Sequence, residues 1–422
     1  MGGSGSFPVG SRFDAPRLDS RPMNCSVDPH RSTTGHEVGP SVVPAVSYLD
    51  FSRGIHERVM RDRVPIAGSL ELTNRCNYDC AHCFIVTGPG PDPREMSTVQ
   101  VKRVLDQLAE AGTLWLLMTG GDPLIRTDFA EIYLHAKRLG LITTVFTNGA
   151  MVTDAIADLL AEYRPFTVEI TLYGQSRDVY ETMTQKRGSF RRAREGIDRL
   201  MRRGVPLELK GVATTLNYHE MDEMKDWVES LGLEFRFDQV INPRKDGGHA
   251  PLAVRLSPGA VLDMDLSDQE RVDAWVEFMC KFDKRKNTDD RLYHCGAGMV
   301  NFNISADGRL TMCGMSERPG YDLTTGTFRE GWERALPIER AKLYSREYAC
   351  TDCDLISLCG NCPAMAEMEN GDPETTVDYL HSIATARAKA FTRVEVPRIP
   401  PRVDPPPPET PVLQPVHSMP GL

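Results

Sequence analysis

The stretch Leu72-Thr73-Asn74-Arg75-Cys76-Asn77-Tyr78-Asp79-Cys80-Ala81-His82-Cys83 decides how this chain is read. Its C-x3-C-x2-C triplet offers three thiolates, one fewer than a closed tetrahedral zinc site or a fully ligated four-iron cluster requires. Three ligands on one short loop leave a metal position open, and an open position is where metal chemistry takes place. An apolar run from Ile66 to Leu72 precedes the loop and reads as a strand. The thiols therefore fall at a strand's carboxyl end, where α/β proteins place their active sites. A structural zinc loop and a redox-inert cluster are the alternatives left open by the triplet alone.

Working outward, a βα alternation runs from about residue 66 to 242. The strand expectations are Ser69–Thr73, Leu114–Thr119, Thr143–Thr147, Thr167–Tyr173, Glu208–Ala213 and Glu234–Ile241. The segments between them are amphipathic, and three expected helices stop at Gly112, Gly204 and Gly232, as a helix C′ position prefers. Ser97-Thr98-Val99-Gln100 reads as a capping box that opens the first long helix. Two further helices are expected over Arg191–Arg203 and Met221–Leu231. Strands that alternate with helices imply a parallel sheet, and six repeats are too few to close like an eight-fold barrel.

Beyond about residue 295 the pattern breaks. Cysteines become dense, Gly and Asp punctuate short runs, and a last helix is expected over Ala384–Phe391. The flanks differ in composition from both regions. Residues 1–42 are rich in Gly, Ser, Pro and Arg and read as a disordered leader, which explains Met1-Gly2 and Ser6 better than myristoylation does. Residues 392–422 carry Pro400-Pro401 and the run Pro405 to Pro408, an extended proline-rich tail.

A formal net charge of -10 argues against nucleic acid as a partner. No apolar stretch approaches the roughly 18 residues of a membrane helix, and no signal peptide opens the sequence. Eleven cysteines without a secretory signal read as metal ligands in a reducing cytoplasm rather than as disulfides.

With these residues in view, the triplet resembles that of the radical S-adenosylmethionine (SAM) superfamily. There three cysteines hold a 4Fe–4S cluster whose open iron is chelated by SAM. The resemblance implies a partial (β/α)6 barrel over residues 66–270, after a lead-in over 43–65. It assigns Cys76, Cys80 and Cys83 to the cluster and matches His82 to the usual aromatic position. Met118-Thr119-Gly120-Gly121-Asp122-Pro123, after the second strand, is similar to the Gly-Gly-Glu-Pro motif that grips the SAM amino group, with Asp122 where Glu is usual. Thr147-Asn148-Gly149 matches another recurrent motif and brings in Asn148. Period-two alternation sets Glu169, Thr171 and Tyr173 on the lumen face of the fourth strand. By resemblance Thr171 contacts the SAM ribose or carboxylate, with Glu169 nearby; a Glu169–Lys210 pair is the structural alternative. Asp238 and Tyr173 are the candidate catalytic residues. For Asp238 a salt bridge to Arg236 or Lys210 competes with a role as substrate base.

The later cysteines resemble the SPASM extension of these enzymes, which carries two auxiliary 4Fe–4S clusters. Cys295, Gly308-x4-Cys313 and Cys350-x2-Cys353-x5-Cys359-x2-Cys362 supply the pattern, placed in residues 295–391 after a bridging segment, 271–294. Family topology assigns Cys350, Cys353 and Cys359 to an outer cluster, and Cys295, Cys313 and Cys362 to an inner one, with Cys280 a candidate fourth ligand. The last gap is one residue short, and no cysteine follows Cys362. His381 or Asp378 is then a candidate ligand. A zinc ribbon over Cys350–Cys362 is the competing reading, and it leaves Cys295 and Cys313 unexplained.

The resemblance implies reductive cleavage of SAM and hydrogen abstraction from a ribosomal precursor peptide. It further implies an electron donor such as flavodoxin or ferredoxin. Leader recognition is then expected from a separate small protein. Action on a small molecule or tetrapyrrole is the enzymatic alternative, and an iron–sulfur electron-transfer or scaffold protein is the alternative of another class.

Overall fold

The computed structural model describes residues 48–86, 93–282, 289–351 and 353–391, with the side chains of 48–53 and 279–282 left aside. The expected leader and tail lie outside the described residues. Six strands form where apolar and polar residues alternate: β1 (Ala67–Thr73), β2 (Trp115–Gly120), β3 (Ile142–Thr147), β4 (Thr167–Leu172), β5 (Leu207–Val212) and β6 (Phe235–Asp238). They pair in parallel in the order β6-β5-β4-β3-β2-β1. The helices of this region are α1 (Tyr48–Asp62), α2 (Thr98–Glu110), α3 (Phe129–Arg138), α4 (Asp154–Glu162), α5 (Arg177–Thr184), α6 (Ser189–Arg202) and α7 (Met221–Ser230).

The caps follow from sequence. Ser97 accepts from the Gln100 N–H while the Gln100 side chain returns to the Ser97 backbone, a reciprocal box that starts α2. Gly112, with φ of +90°, takes the chain out of α2 in a conformation that a β-carbon would disfavour. The hydrophobic core lies between the sheet and these helices. Leu70, Leu116, Met118, Val145, Val168 and Ile170 from the strands meet Leu105, Phe129, Leu160, Leu200 and Val228 from the helices. The opposite sheet face carries Glu71, Thr119, Glu169, Thr171, Lys210 and Arg236, so the lumen is polar.

The sheet does not end with the six parallel strands. β7 (Asn301–Ile304) adds in parallel to the free side of β1, and β8 (Arg309–Thr311) and β9 (Pro319–Asp322) follow antiparallel, giving nine strands in one sheet. Residues after 295 therefore continue the barrel sheet instead of starting a separate one. Gly68 makes the junction possible, because a β-carbon there would overlap the Phe302 ring. Phe302 then packs edge-on to Phe328 at 4.9 Å and Trp332 at 6.2 Å.

Two helices, α8 (Pro258–Leu266) and α9 (Gln269–Phe282), bridge to this region. The final helix spans Asp378–Phe391 and starts six residues before the expected Ala384. Arg387 on it donates to the fully buried Asp265 of α8 at 2.8 Å, and Arg271 pairs with the same carboxylate at 2.9 Å. Among the described residues no helix is long and apolar enough to cross a membrane.

Candidate active site

β1 delivers the chain into the cysteine loop, which backbone bonds to the α5–α6 junction hold in place. Asp79 N–H donates to Thr184 O at 3.2 Å, Ala81 N–H to Met183 O at 2.9 Å, and the Tyr78 hydroxyl to Ser189 O at 3.2 Å. Cys76, Cys80 and Cys83 are free thiols. Burial pushes Cys76 up to about 12, and it pushes Cys80 and Cys83 upward too. Buried thiols of this kind ionise when a metal cation takes the proton's place. Two N–H donors already point at Cys76 Sγ, from the Tyr78 backbone at 3.5 Å and the Asn148 amide at 3.7 Å. Three free thiols on one short loop, one of them facing two N–H donors, fit a cluster bound there.

The loop after β2 packs directly beneath. Gly121 N–H donates to Thr73 O at 2.7 Å and Asp122 N–H to Arg75 O at 2.9 Å. A β-carbon at Gly120 would overlap Thr73 O, and one at Gly121 would overlap Arg75 O. The two glycines are therefore required by the approach of two backbone segments, beyond any approach to a ligand. The Asp122 side chain is fully buried and turned inward. Its oxygens accept from Leu124 N–H at 3.0 Å, Thr147 Oγ1 at 2.8 Å and Asn148 N–H at 2.9 Å. Asp122 thus reaches the cysteine loop through Asn148, whose amide also donates to Asn77 Oδ1 at 2.9 Å.

In the lumen, Glu169 pairs with Lys210 at 3.0 Å and also with Arg236. Lys210 stands 3.1 Å over the Phe146 ring. Burial lowers the Lys210 pKa, opposed by the Glu169 charge. Thr171 is the register partner of Lys210, and Thr119 that of Glu71. Asp238 is exposed on the edge strand β6, where its charge acts on Lys210.

Tyr173 follows β4 directly and lies among the residues of the cysteine loop. Its ring packs against His82 at 5.5 Å, Tyr78 at 6.3 Å and Tyr180 at 5.4 Å, behind the cysteine loop. Burial pulls His82 down to about 4, and its Nδ1 has no hydrogen-bond partner among the described residues.

The later cysteines gather in two sets. Cys359, pushed up to about 12 by burial, has Cys350 and Cys353 as charge neighbours. Cys362, pushed up to about 11 by burial, has Cys313 and Cys295. His381 lies on the final helix, its N–H bonded to Val377 O at 3.1 Å, and Asp378 opens that helix. The Cys280 side chain lies outside the described ones. Among the described residues no three His, Cys, Asp or Glu side chains are gathered tightly enough for a single metal ion.

Sequence reasoning passed over a second lumen pair. Lys245 donates to the buried Glu71 at 2.6 Å, and Asn303 of β7 joins Glu71 at 3.3 Å and Ser69 at 2.6 Å. Burial raises the pKa of Cys83 and of Cys313, and the Lys245 charge opposes both shifts. One ammonium group therefore acts on a thiol of each cysteine region. Glu71 was discoverable as an acid alternating with Leu70 and Leu72; Lys245 sits in irregular chain and carried no signal.

The sequence model of the Radical SAM superfamily matches residues 70–231. An AdoMet-dependent heme synthase of Oleidesulfovibrio alaskensis is 30% identical over 345 residues, covering 73% of this chain and 85% of that protein. The chain belongs to the radical SAM superfamily. Its relatives also include the mycofactocin maturase MftC of Mycolicibacterium smegmatis, 28% identical over 361 residues, covering 79% of this chain and 87% of MftC. Among solved structures, Streptococcus suis SuiB bound to its precursor peptide SuiA superposes with a TM-score of 0.61. That match covers 83% of this chain and 84% of SuiB at 15% identity, and it shows a shared fold. The radical SAM enzyme thus has the family's partial barrel.

Proposed function

We propose that this radical SAM enzyme modifies a side chain of a ribosomally made precursor peptide. When bound, a 4Fe–4S cluster on Cys76, Cys80 and Cys83 supplies the electron that cleaves SAM to methionine and a 5′-deoxyadenosyl radical, the hydrogen-abstracting species. The chain's own residues orient the reactants and exclude solvent, as cofactor enzymes generally do. The observation that carries the proposal is the cysteine loop and the Gly120–Gly121 turn packed together at the carboxyl ends of β1 and β2, in a chain whose relatives include the maturase MftC. A substrate held in the adjoining lumen meets the SAM site.

Thr171 and Lys210 are assigned to the SAM ribose and carboxylate, with Glu169 fixing the Lys210 ammonium. Gly120 and Gly121 present backbone to the SAM amino group, and Thr119 lines the same floor. Asp238, exposed beside Lys210, is assigned as the base that takes a substrate proton. The later cysteines are assigned to two auxiliary 4Fe–4S clusters, Cys350, Cys353 and Cys359 in one and Cys295, Cys313 and Cys362 in the other. His381 is a candidate ligand at the first of these. The name maturase for MftC and the precursor peptide held by SuiB support a peptide substrate. Partners are a leader-recognition protein and a one-electron donor, and the compartment is reducing cytoplasm.

The test is anaerobic incubation of iron-loaded enzyme, SAM and reductant with a short peptide encoded beside its gene, followed by mass spectrometry. A SAM-dependent mass change confined to one residue supports the proposal. The heme synthase relative favours a second reading, a tetrapyrrole substrate. Conversion of an iron tetrapyrrole, with the peptide untouched, would establish it instead.

A further inference from the structure

The chain is acidic overall, with 59 acidic against 49 basic residues, yet Lys186–Arg203 runs the other way. It holds seven arginines and one lysine against Glu195 and Asp198 alone. Much of that charge is answered locally. Arg191 pairs with Glu195 at 2.8 Å, Arg202 with Asp198 at 3.2 Å, and Arg203 with Asp154 at 2.9 Å and Asp158 at 2.5 Å. Arg199 also reaches Asp154, at 3.6 Å. Arg194 stacks 3.3 Å over Trp227. Lys186, Arg187 and Arg192 are different: none forms an ion pair among the described residues.

These three cations sit at one end of the run, against the back of the cysteine loop. Met183 and Thr184, just before Lys186, accept the N–H groups of Ala81 and Asp79 from between the cluster ligands. Ser189, just after Arg187, accepts the Tyr78 hydroxyl. The Gln185–Gly188 turn is forced outward by two left-handed residues, Gln185 at φ 51° and Gly188 at φ 75°, which leaves Lys186 and Arg187 exposed. Nearby acids do not cancel the patch. Glu181 bonds Arg177 and the Gly188 N–H, so exposed Asp178 and Asp79 are left at its border.

Resting on the radical SAM function above, we infer that the Lys186–Arg187–Arg192 face is the docking surface for an acidic one-electron carrier protein. The carrier gives up one electron and the cluster on Cys76, Cys80 and Cys83 takes it, with no proton or group transferred. The surface lies on the loop's outer side, leaving the lumen free for SAM and substrate. Complementary charge accelerates such encounters by about 10- to 1,000-fold and fades as salt shortens the screening length.

The experiment compares full-length wild type with Lys186→Glu/Arg187→Glu and with the neutral pair Lys186→Gln/Arg187→Gln. The probe is a bacterial flavodoxin with its NADPH-dependent reductase. Two quantities are read: flavodoxin affinity by calorimetry, and 5′-deoxyadenosine formed with either flavodoxin or dithionite. The inference predicts affinity and flavodoxin-driven rate at least about tenfold lower in the reversal variant at low salt. The neutral pair falls between, the gap closes at about 0.5 M salt, and dithionite-driven rates stay within twofold of wild type. Unchanged affinity and unchanged flavodoxin-driven rate overturn the inference. An equal loss with dithionite also overturns it, since the turn would then serve the loop or the substrate. Failure of wild type with dithionite would instead strike at the radical SAM function, while the binding measurement still reads the surface.

Discussion

The Asp122 carboxylate accepts the Asn148 backbone N–H at 2.9 Å, and that single bond joins the loop after β2 to the loop after β3. Because Asn148 in turn directs its side-chain amide at Cys76 Sγ, 3.7 Å away, the buried acid is a positioning residue for a cluster ligand. A fully buried carboxylate with three protein donors is preorganised and costly to disturb.

Removing the amide should shift the cluster's potential. Donors to sulfur favour the reduced cluster, which carries more negative charge. Asn148→Ala loses one modest hydrogen bond of about 0.5–1.5 kcal/mol, which at 59 mV per tenfold is roughly 20–65 mV. The midpoint of the Cys76–Cys80–Cys83 cluster, read by EPR-monitored titration, should move negative by that amount. A positive shift, or none, would remove Asn148 from the account.

Gly121→Ala tests the close approach beneath the loop. The added β-carbon meets the Arg75 carbonyl, which is backbone and cannot swing away. The expected outcome is a variant that keeps wild-type far-UV circular dichroism but takes up about four fewer iron atoms per chain, the complement of one four-iron cluster. Full iron uptake with a normal EPR spectrum would contradict it.

Arg126 anchors the approach to the loop from below. Its buried guanidinium donates to Leu72 O at 3.0 Å, Met96 O at 2.9 Å, Glu95 at 3.2 Å and Asp128 at 2.6 Å. Arg126→Ala leaves these acceptors without their cation, and breaking a buried pair from one side costs about 3–5 kcal/mol. Arg75 still pairs with Glu95 at 2.9 Å, so denaturant unfolding should report the lower end of that range.

The same cluster predicts a pH dependence. The Arg126 hydrogen bonds hold Asp128 down to about 2, below its ordinary 3.8, with help from Thr98. A depressed carboxylate contributes stability that is complete above the ordinary value and lost as pH falls through the folded one. Asp128→Asn should therefore lower the Tm at pH 7, and the difference from wild type should shrink between pH 4 and 2. A difference that stays constant over that window would contradict the assignment.

Much of this was legible because local rules and tertiary structure agree. The expected strand starts and ends lie within a residue or two of β1 to β5, and Gly112, Gly204 and Gly232 end their helices at positive φ as expected. β6 is shorter than expected, covering Phe235–Asp238 of Glu234–Ile241, because the ladder with β5 ends at Val212 and Asp238. β7 to β9 escaped notice because runs of three or four residues carry too little periodicity, and β1, the partner of β7, is some 230 residues away in sequence. The final helix was expected to start late, because its apolar stripe needs Val377, Leu380 and Ala384 seen together on one buried face. At the site, motifs named the cysteines and glycines. They gave no hint that Asp122 faces inward, that Tyr173 packs behind the loop, or that Lys245 reaches Glu71, since those depend on chain brought together by the fold.

The most direct measurement is anaerobic SAM cleavage by iron-loaded protein reduced with dithionite, set beside the Cys76→Ala/Cys80→Ala/Cys83→Ala variant, which keeps the later cysteines. The account predicts 5′-deoxyadenosine and methionine in equal amounts from the wild type and none above background from the variant. Equal product from both, or none from a wild type with every cluster loaded and its peptide present, would contradict it.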